Sequence, residues 1–147
     1  MESSENSRRR AVLVHIALAS SIGIYAVMLL FLGPGAVRSG NPETPSPRLF
    51  VALSAIGLGQ FAAVSWVGRV LLRSRRAGGA ERVRLYFLLR ASAAEAIGLF
   101  GLLAGFRGSP WIQSVALFAM SLAAMLLSAP SRAAWERALR LAESPGP

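Results

Sequence analysis

Long apolar runs dominate the hydropathy pattern of this chain. Four stretches of about 20 or more residues carry almost no charge, and they cover about residues 11–33, 49–72, 84–106 and 110–129. A helix of about 20 residues crosses a hydrocarbon core roughly 30 Å thick. None of the stretches has the polar face of a soluble amphipathic helix. The pattern therefore predicts an all-α, four-transmembrane-helix bundle, running up-down-up-down, in a single integral membrane domain over residues 1–147.

The segments between these runs have the composition of connections. Residues 34–48 hold four prolines and two glycines, which favour an irregular surface loop. Residues 73–83 form a basic turn with two adjacent glycines, and residues 107–109 are short enough for a tight hairpin. Neighbouring spans are therefore expected to be antiparallel.

Residues 130–147 form a tail with a different pattern. Ser131 is a suitable helix cap, and Trp135, Ala138, Leu139 and Ala142 share one face of a helix. The tail is either a short amphipathic helix on the cytoplasmic membrane surface, anchored by Trp135, or a frayed continuation of the fourth span.

Charge changes the picture by giving the spans an orientation. All 16 basic residues are arginine, all seven acidic residues are glutamate, and the formal net charge is +9. With four spans, three arginines lie on the side of residues 34–48 and 107–109. Eleven lie on the opposite side: Arg8, Arg9, Arg10, Arg73, Arg75, Arg76, Arg82, Arg84, Arg132, Arg137 and Arg140. The positive-inside rule then places the N-terminus and the C-terminus in the cytoplasm.

The use of arginine without lysine, together with many alanines, favours a bacterial inner membrane. Ser7, Arg8 and Arg9 partly match a twin-arginine export signal. The apolar run behind them is longer than a signal h-region of about 7–15 residues, so we expect an uncleaved first span.

The arginine clusters also indicate partners. They flank the apolar runs, and no motif that reads a nucleic-acid groove accompanies them, so nucleic acid is not an expected partner. The expected partners are the lipid bilayer and the anionic lipid headgroups of its cytoplasmic face. The predicted headgroup contacts are Arg73, Arg75, Arg76, Arg82, Arg84 and Arg132.

Few residues of the chain could act in catalysis or bind a metal or cofactor. The chain has no cysteine, no aspartate and one histidine, so no metal site and no cofactor are expected. No nucleophile paired with a base and no phosphate-binding loop occurs, and the chain is not expected to be an enzyme.

The candidate site is an acidic residue in the third run. Glu95 lies eleven residues from either end of residues 84–106, where an ionised side chain is costly. Gln60 lies at the same depth of the second run, and a hydrogen bond between Gln60 and Glu95 is expected. Arg90 is a second candidate partner for Glu95. The carboxyl either binds a proton or a cation, or stays neutral and fixes helix packing.

Small residues recur every three or four positions in the spans. They form a stripe of Ala55, Gly59 and Ala63 in the second run. The third run has Ala91, Ala94, Gly98, Gly101 and Gly105, the first has Ala19 and Gly23, and the fourth has Ala119 and Ala123. Such faces allow close helix packing. They predict a compact bundle and equally suit a membrane-protein partner or a homo-oligomer.

One stretch resembles a known family. "AEAIGLFGLLAG", residues 94–105, is similar to the carboxylate-bearing helix of the c subunits (proteolipids) of ATP synthases and V-type ATPases. The resemblance covers the helical hairpin of residues 49–106, and it implies an ion-binding role for Glu95 with Gln60 as a coordinating partner. The connecting turn lacks the Arg-Gln-Pro of that family.

These observations predict a small polytopic inner-membrane protein that is a non-enzymatic membrane component or assembly partner. The alternative is a proton- or cation-handling protein that uses Glu95 with Gln60.

Overall fold

The fold of the chain consists of α-helices. The computed structural model describes residues 4–32, 47–74, 78–107 and 109–144, and this part contains no β-strand. The all-α prediction is confirmed. The five helices are α1 (Ser4–Leu32), α2 (Pro47–Arg73), α3 (Gly79–Phe106), α4 (Trp111–Leu127) and α5 (Arg132–Glu143).

Three of these helices are long and apolar enough to cross a membrane. The candidate spans in α1, α2 and α3 have 28, 26 and 28 residues. Helix α4 has 17 residues and meets the same criterion only together with α5, from which it is bent by 64°. The described residues thus hold three candidate spans, or four if α4 and α5 count as one broken span, as expected for a membrane protein.

Helix α1 begins earlier than the apolar pattern predicts. The carboxylate of Glu5 lies 2.9 Å from Nη2 of Arg8 and 3.4 Å from Nε of Arg9, one turn along the helix. Pairs at these spacings support a helix beyond its apolar part. Of the predicted loop over residues 34–48, only Pro47 and Arg48 are described, and they begin α2.

Helix α3 occupies the centre of the structure and packs against all four other helices. Its predicted small-residue face is buried except at Gly105, which is half-buried, and this lets bulkier side chains approach the α3 backbone. On the α4 side, Ser121 lies against Gly98 and Phe118 lies against Gly101. On the α1 side, Leu29 lies against Gly105.

Helix α2 contacts a different face of α3. Gly57 lies against Ile97, and Gly68 lies against the ring of Tyr86, where an added Cβ would be 2.6 Å from Cδ2. Glycine is needed at position 68 because any larger side chain would displace this ring. The outer faces of α1 and α2 stay uncovered, and in their candidate spans only 6% and 11% of the residues are buried.

A second apolar cluster closes one end of the helices. The start of α1 (Ala11), the end of α2 (Leu72) and the start of α3 (Val83) meet the buried face of α5 here. The rings of Phe87 and Trp135 stack with centroids 5.7 Å apart. The arginine-flanked helix ends therefore assemble at the same end of the molecule.

The tail forms the separate amphipathic helix that one of the two sequence interpretations expects, and it is not a continuation of α4. Ser131 caps α5 by accepting a hydrogen bond from the Ala134 amide at 3.3 Å. Its apolar face differs from that expectation, because Trp135 is only 3% exposed and packs against α3. The reason is that α5 folds back over the ends of α2 and α3, whose apolar side chains need cover.

Candidate functional site

The carboxyl of Glu95 lies at the interface of α3 and α1. Its Oε1 atom is 2.6 Å from the hydroxyl of Ser21 and 2.9 Å from the hydroxyl of Tyr25. Ser21 and Tyr25 are four residues apart, so one face of α1 carries both hydroxyl groups toward α3. The Ser21 hydroxyl also lies 2.7 Å from the carbonyl oxygen of Leu18.

The Glu95 carboxyl joins two helices through one oxygen atom. Its Oε1 accepts hydrogen bonds from the hydroxyl groups of Ser21 and Tyr25, which both belong to α1. The Ser21 hydroxyl is shared between Glu95 and the carbonyl oxygen of Leu18. The cluster therefore fixes α3 to α1.

Gln60 does not take part in this cluster. It lies exposed on α2, and no hydrogen bond joins it to Glu95 within the described part of the chain. Gln60 and Glu95 lie at the same position along their helices, but their side chains do not point toward each other. Ile97 of α3 contacts α2, and Glu95 is two residues away, or about 200° around the helix. The carboxyl therefore faces away from α2.

Arg90 also has partners other than Glu95. Its Nη atoms lie 3.0 Å from the Tyr86 hydroxyl and 3.3 Å from the carbonyl oxygen of Leu127 at the end of α4. The guanidinium lies over the ring of Phe61, 5.4 Å from its centroid, which is cation–π geometry. Arg90 therefore joins α3 to the middle of α2 and the end of α4, and no hydrogen bond joins it to Glu95, its candidate partner, in the described part of the chain.

One predicted headgroup contact is a buried structural residue. Arg82 is 7% exposed. Its guanidinium donates to the carbonyl oxygens of Leu72 at 2.7 Å, of Ala142 at 2.9 Å, and of Ser74. Arg82 thus satisfies carbonyls left open at the C-terminal ends of α2 and α5. Because α5 covers it, its guanidinium is used within the protein.

The other predicted headgroup contacts are placed differently. Arg73 and Arg132 are exposed, and Arg84 is half-buried. Arg132 forms an ion pair with Glu136 at 3.1 Å on the same helix. Arg75 and Arg76 lie outside the described residues.

The hydroxyl partners of Glu95 were missed by reasoning from sequence. Only an amide and charged groups were predicted as partners of Glu95, and no hydroxyl group was. A usable signal was present, since Ser21 and Tyr25 stand four residues apart in an otherwise apolar run. Within the described residues, no group of three or more His, Asp or Glu side chains could hold a metal ion.

Comparison with known proteins gives no relative for this chain. No family profile, curated protein or solved structure matches it significantly. The likeness of residues 94–105 to the c subunits of rotary ATPases therefore stays a prediction. Function must be inferred from the geometry described above.

Proposed function

We propose that the chain is a bacterial inner-membrane protein that crosses the membrane four times in alternating directions. Contact pairs support the alternation. Ser21 of α1 contacts Glu95 of α3, and Leu29 of α1 contacts Gly105 of α3, so these two helices run in the same direction. Helices α2 and α4 run in the opposite direction to α3. In α4, for example, Phe118 contacts Gly101, and the later residue Ser121 contacts the earlier residue Ala94.

The fourth crossing is made by α4. Its 17 residues measure roughly 26 Å, somewhat less than the hydrocarbon core. Residues 128–131 and the bend into α5 extend it to the interface. Both termini lie in the cytoplasm, because the cluster that joins the ends of α1, α2 and α3 to α5 is also where the arginines concentrate.

The function proposed for this bundle is that of a non-enzymatic membrane component that self-associates through α2. The observation that carries the proposal is the outer face of α2. Gln60 is the central residue of this 27-residue helix, and its amide lies exposed without a hydrogen-bond partner in the described structure. Placed at mid-membrane, an unpaired amide costs several kcal/mol.

The surroundings of Gln60 suit a second helix. The stripe of Ala55, Gly59 and Ala63 is exposed, and a Cβ added to Gly59 would meet nothing within 4 Å. Another backbone can therefore approach closely at the depth of the amide. We assign a second copy of this chain as the occupant, since an amide both donates and accepts and two Gln60 side chains satisfy each other across a two-fold axis.

The substitutions Gln60→Leu and Gly59→Leu test this interface. We expect each to weaken dimerisation at least about tenfold, because the first removes the amide pair and the second blocks close approach. The readout is the monomer–dimer equilibrium of the purified full chain in detergent at several protein-to-detergent ratios. Gly23→Leu is the matched control, since Gly23 of α1 is also exposed with open space around it.

Two results would contradict self-association. One is a wild-type chain that stays monomeric at every ratio. The other is a dimer that Gly59→Leu and Gly23→Leu weaken equally, which would indicate unspecific apolar contact.

A second candidate function is proton or cation handling at Glu95. The short contacts among Ser21, Tyr25 and Glu95 favour it, because such a cluster can hold a proton. Gln60 does not take part in this second candidate function, because it lies on the outer face of α2. We rank it second because the same contacts are explained by a carboxyl that only fixes α1 to α3.

A further inference from the structure

A groove opens between α2, α3, α4 and α5, at the end where the arginines concentrate. Its volume is about 310 Å³. Three arginines from three helices line it: Arg69 from α2, Arg90 from α3 and Arg137 from α5. No lining residue carries a carboxylate. The charge of these guanidinium groups is therefore not offset inside the groove.

A larger neighbouring groove is a useful comparison. It has a volume of about 650 Å³ and is lined by Glu81 and Glu143 together with Arg84. Its charges are mixed, so it offers no particular attraction for an anion. A third groove of about 290 Å³ holds two arginines, Arg10 and Arg84, and also has no acidic residue. The groove with Arg69, Arg90 and Arg137 differs from it by its third arginine.

The three arginines differ in how firmly they are held. Arg90 is fixed by Tyr86, by the Leu127 carbonyl and by the Phe61 ring, and its Nε–H has no partner. Arg137 uses its Nε atom for the carbonyl of Ala133 on its own helix. Arg69 is exposed and makes no hydrogen bond or ion pair to a described residue. Arg69 and Arg137 thus keep donors available for an anionic ligand.

The rest of the groove is apolar. Its walls include the ring of Phe87 and the side chains of Leu127 and Leu141, which are 72% and 51% exposed. Leu127 ends α4, so the groove lies where an apolar span gives way to the arginine-rich end. Cations above an apolar wall are the surroundings that a phosphate attached to acyl chains requires.

We propose that this groove binds one anionic phospholipid, with its phosphate held by Arg69 and Arg137 and its acyl part against Leu127 and Leu141. The inference rests on the proposed placement of this end at the membrane interface. It differs from general attraction of lipids to exposed arginines, because it names a defined site. Cardiolipin, which carries two phosphates, is expected to bind more tightly than singly charged phosphatidylglycerol.

The test is lipid retention by the purified full chain, measured by native mass spectrometry in detergent. The lipids added are cardiolipin, phosphatidylglycerol and zwitterionic phosphatidylcholine, and inorganic phosphate is added alone in a separate arm. The double variant Arg69→Gln/Arg137→Gln is compared with Arg73→Gln/Arg140→Gln. The control pair removes the same charge from α2 and α5 at exposed positions that do not line the groove.

We expect the groove variant to lose at least about tenfold in cardiolipin affinity and the control variant to lose less than about threefold. Equal losses in both variants would overturn the proposal, because they would indicate diffuse attraction. Equal binding of phosphatidylcholine, or displacement of the lipid by millimolar inorganic phosphate, would also overturn it. The assay does not depend on membrane orientation because it is done in detergent, and the groove shares no lining residue with the proposed Gln60 interface.

Discussion

Arg82→Met is expected to lower the free energy of unfolding by about 3 kcal/mol, the largest effect we predict for one side chain. The guanidinium of Arg82 satisfies carbonyls at the ends of both α2 and α5. Each buried carbonyl left without a partner costs about 1–3 kcal/mol. Methionine keeps much of the apolar stem of arginine, so the loss reports on the hydrogen bonds rather than on a cavity.

The measurement is thermal unfolding in detergent followed by tryptophan fluorescence, since Trp135 lies in the cluster next to Arg82. Arg73→Met is the control, because Arg73 ends α2 and is exposed. We expect the control to unfold like the wild type. If Arg82→Met unfolds like the wild type and only reduces binding to anionic vesicles, the headgroup role predicted from sequence is right and the structural role is wrong.

Glu95→Leu is expected to cost about 2 kcal/mol of stability, because the hydroxyls of Ser21 and Tyr25 lose their common partner between two helices. Glu95→Gln should stay within about 0.5 kcal/mol of the wild type, since an amide can still accept from Tyr25. Adding Tyr25→Phe should cost much less in the Glu95→Leu background than in the wild type. The readout is the same thermal unfolding.

Ser20→Ala and Ser21→Ala form the matched control pair for this cluster. Among the described residues, the Ser20 hydroxyl bonds only to the Ile16 carbonyl of its own helix, whereas the Ser21 hydroxyl bonds to Glu95 of α3. Equal costs for the two alanine variants would contradict the proposed link between α1 and α3. The glutamine variant also separates the two candidate functions. Proton flux in proteoliposomes that is present for the wild type and absent for Glu95→Gln would favour proton handling.

Helices were predictable from this sequence because hydropathy alone determines them. Runs of 20 apolar residues can satisfy their backbone in a membrane only as helices. Helices α2 and α3 contain their predicted runs, and α1 contains the described part of its run, residues 11–32. The buried face of α3 was also predictable, since Gly98 and Gly101 occur at helical spacing. These features depend on the local spacing of apolar and small residues, which can be read from a single sequence.

The partners of polar side chains were much less predictable. Depth in the membrane follows from counting residues, but the direction of a side chain depends on how each helix is rotated against its neighbours. Gln60 and Glu95 matched in depth and differed in direction. Arg82 looked like other flanking arginines because nothing local indicates that α5 folds back over it. Long-range packing decided both cases.

The number of crossings is the central claim, and single cysteines test it directly because the chain has none of its own. Ser4→Cys, Ser109→Cys and Ser144→Cys would be labelled in intact bacterial cells with a membrane-impermeant maleimide. Four crossings with both termini inside predict labelling at position 109 alone, and at positions 4 and 144 only after permeabilisation. Labelling of both 109 and 144 in intact cells, with 4 protected, would contradict the proposal and show that α4 does not cross.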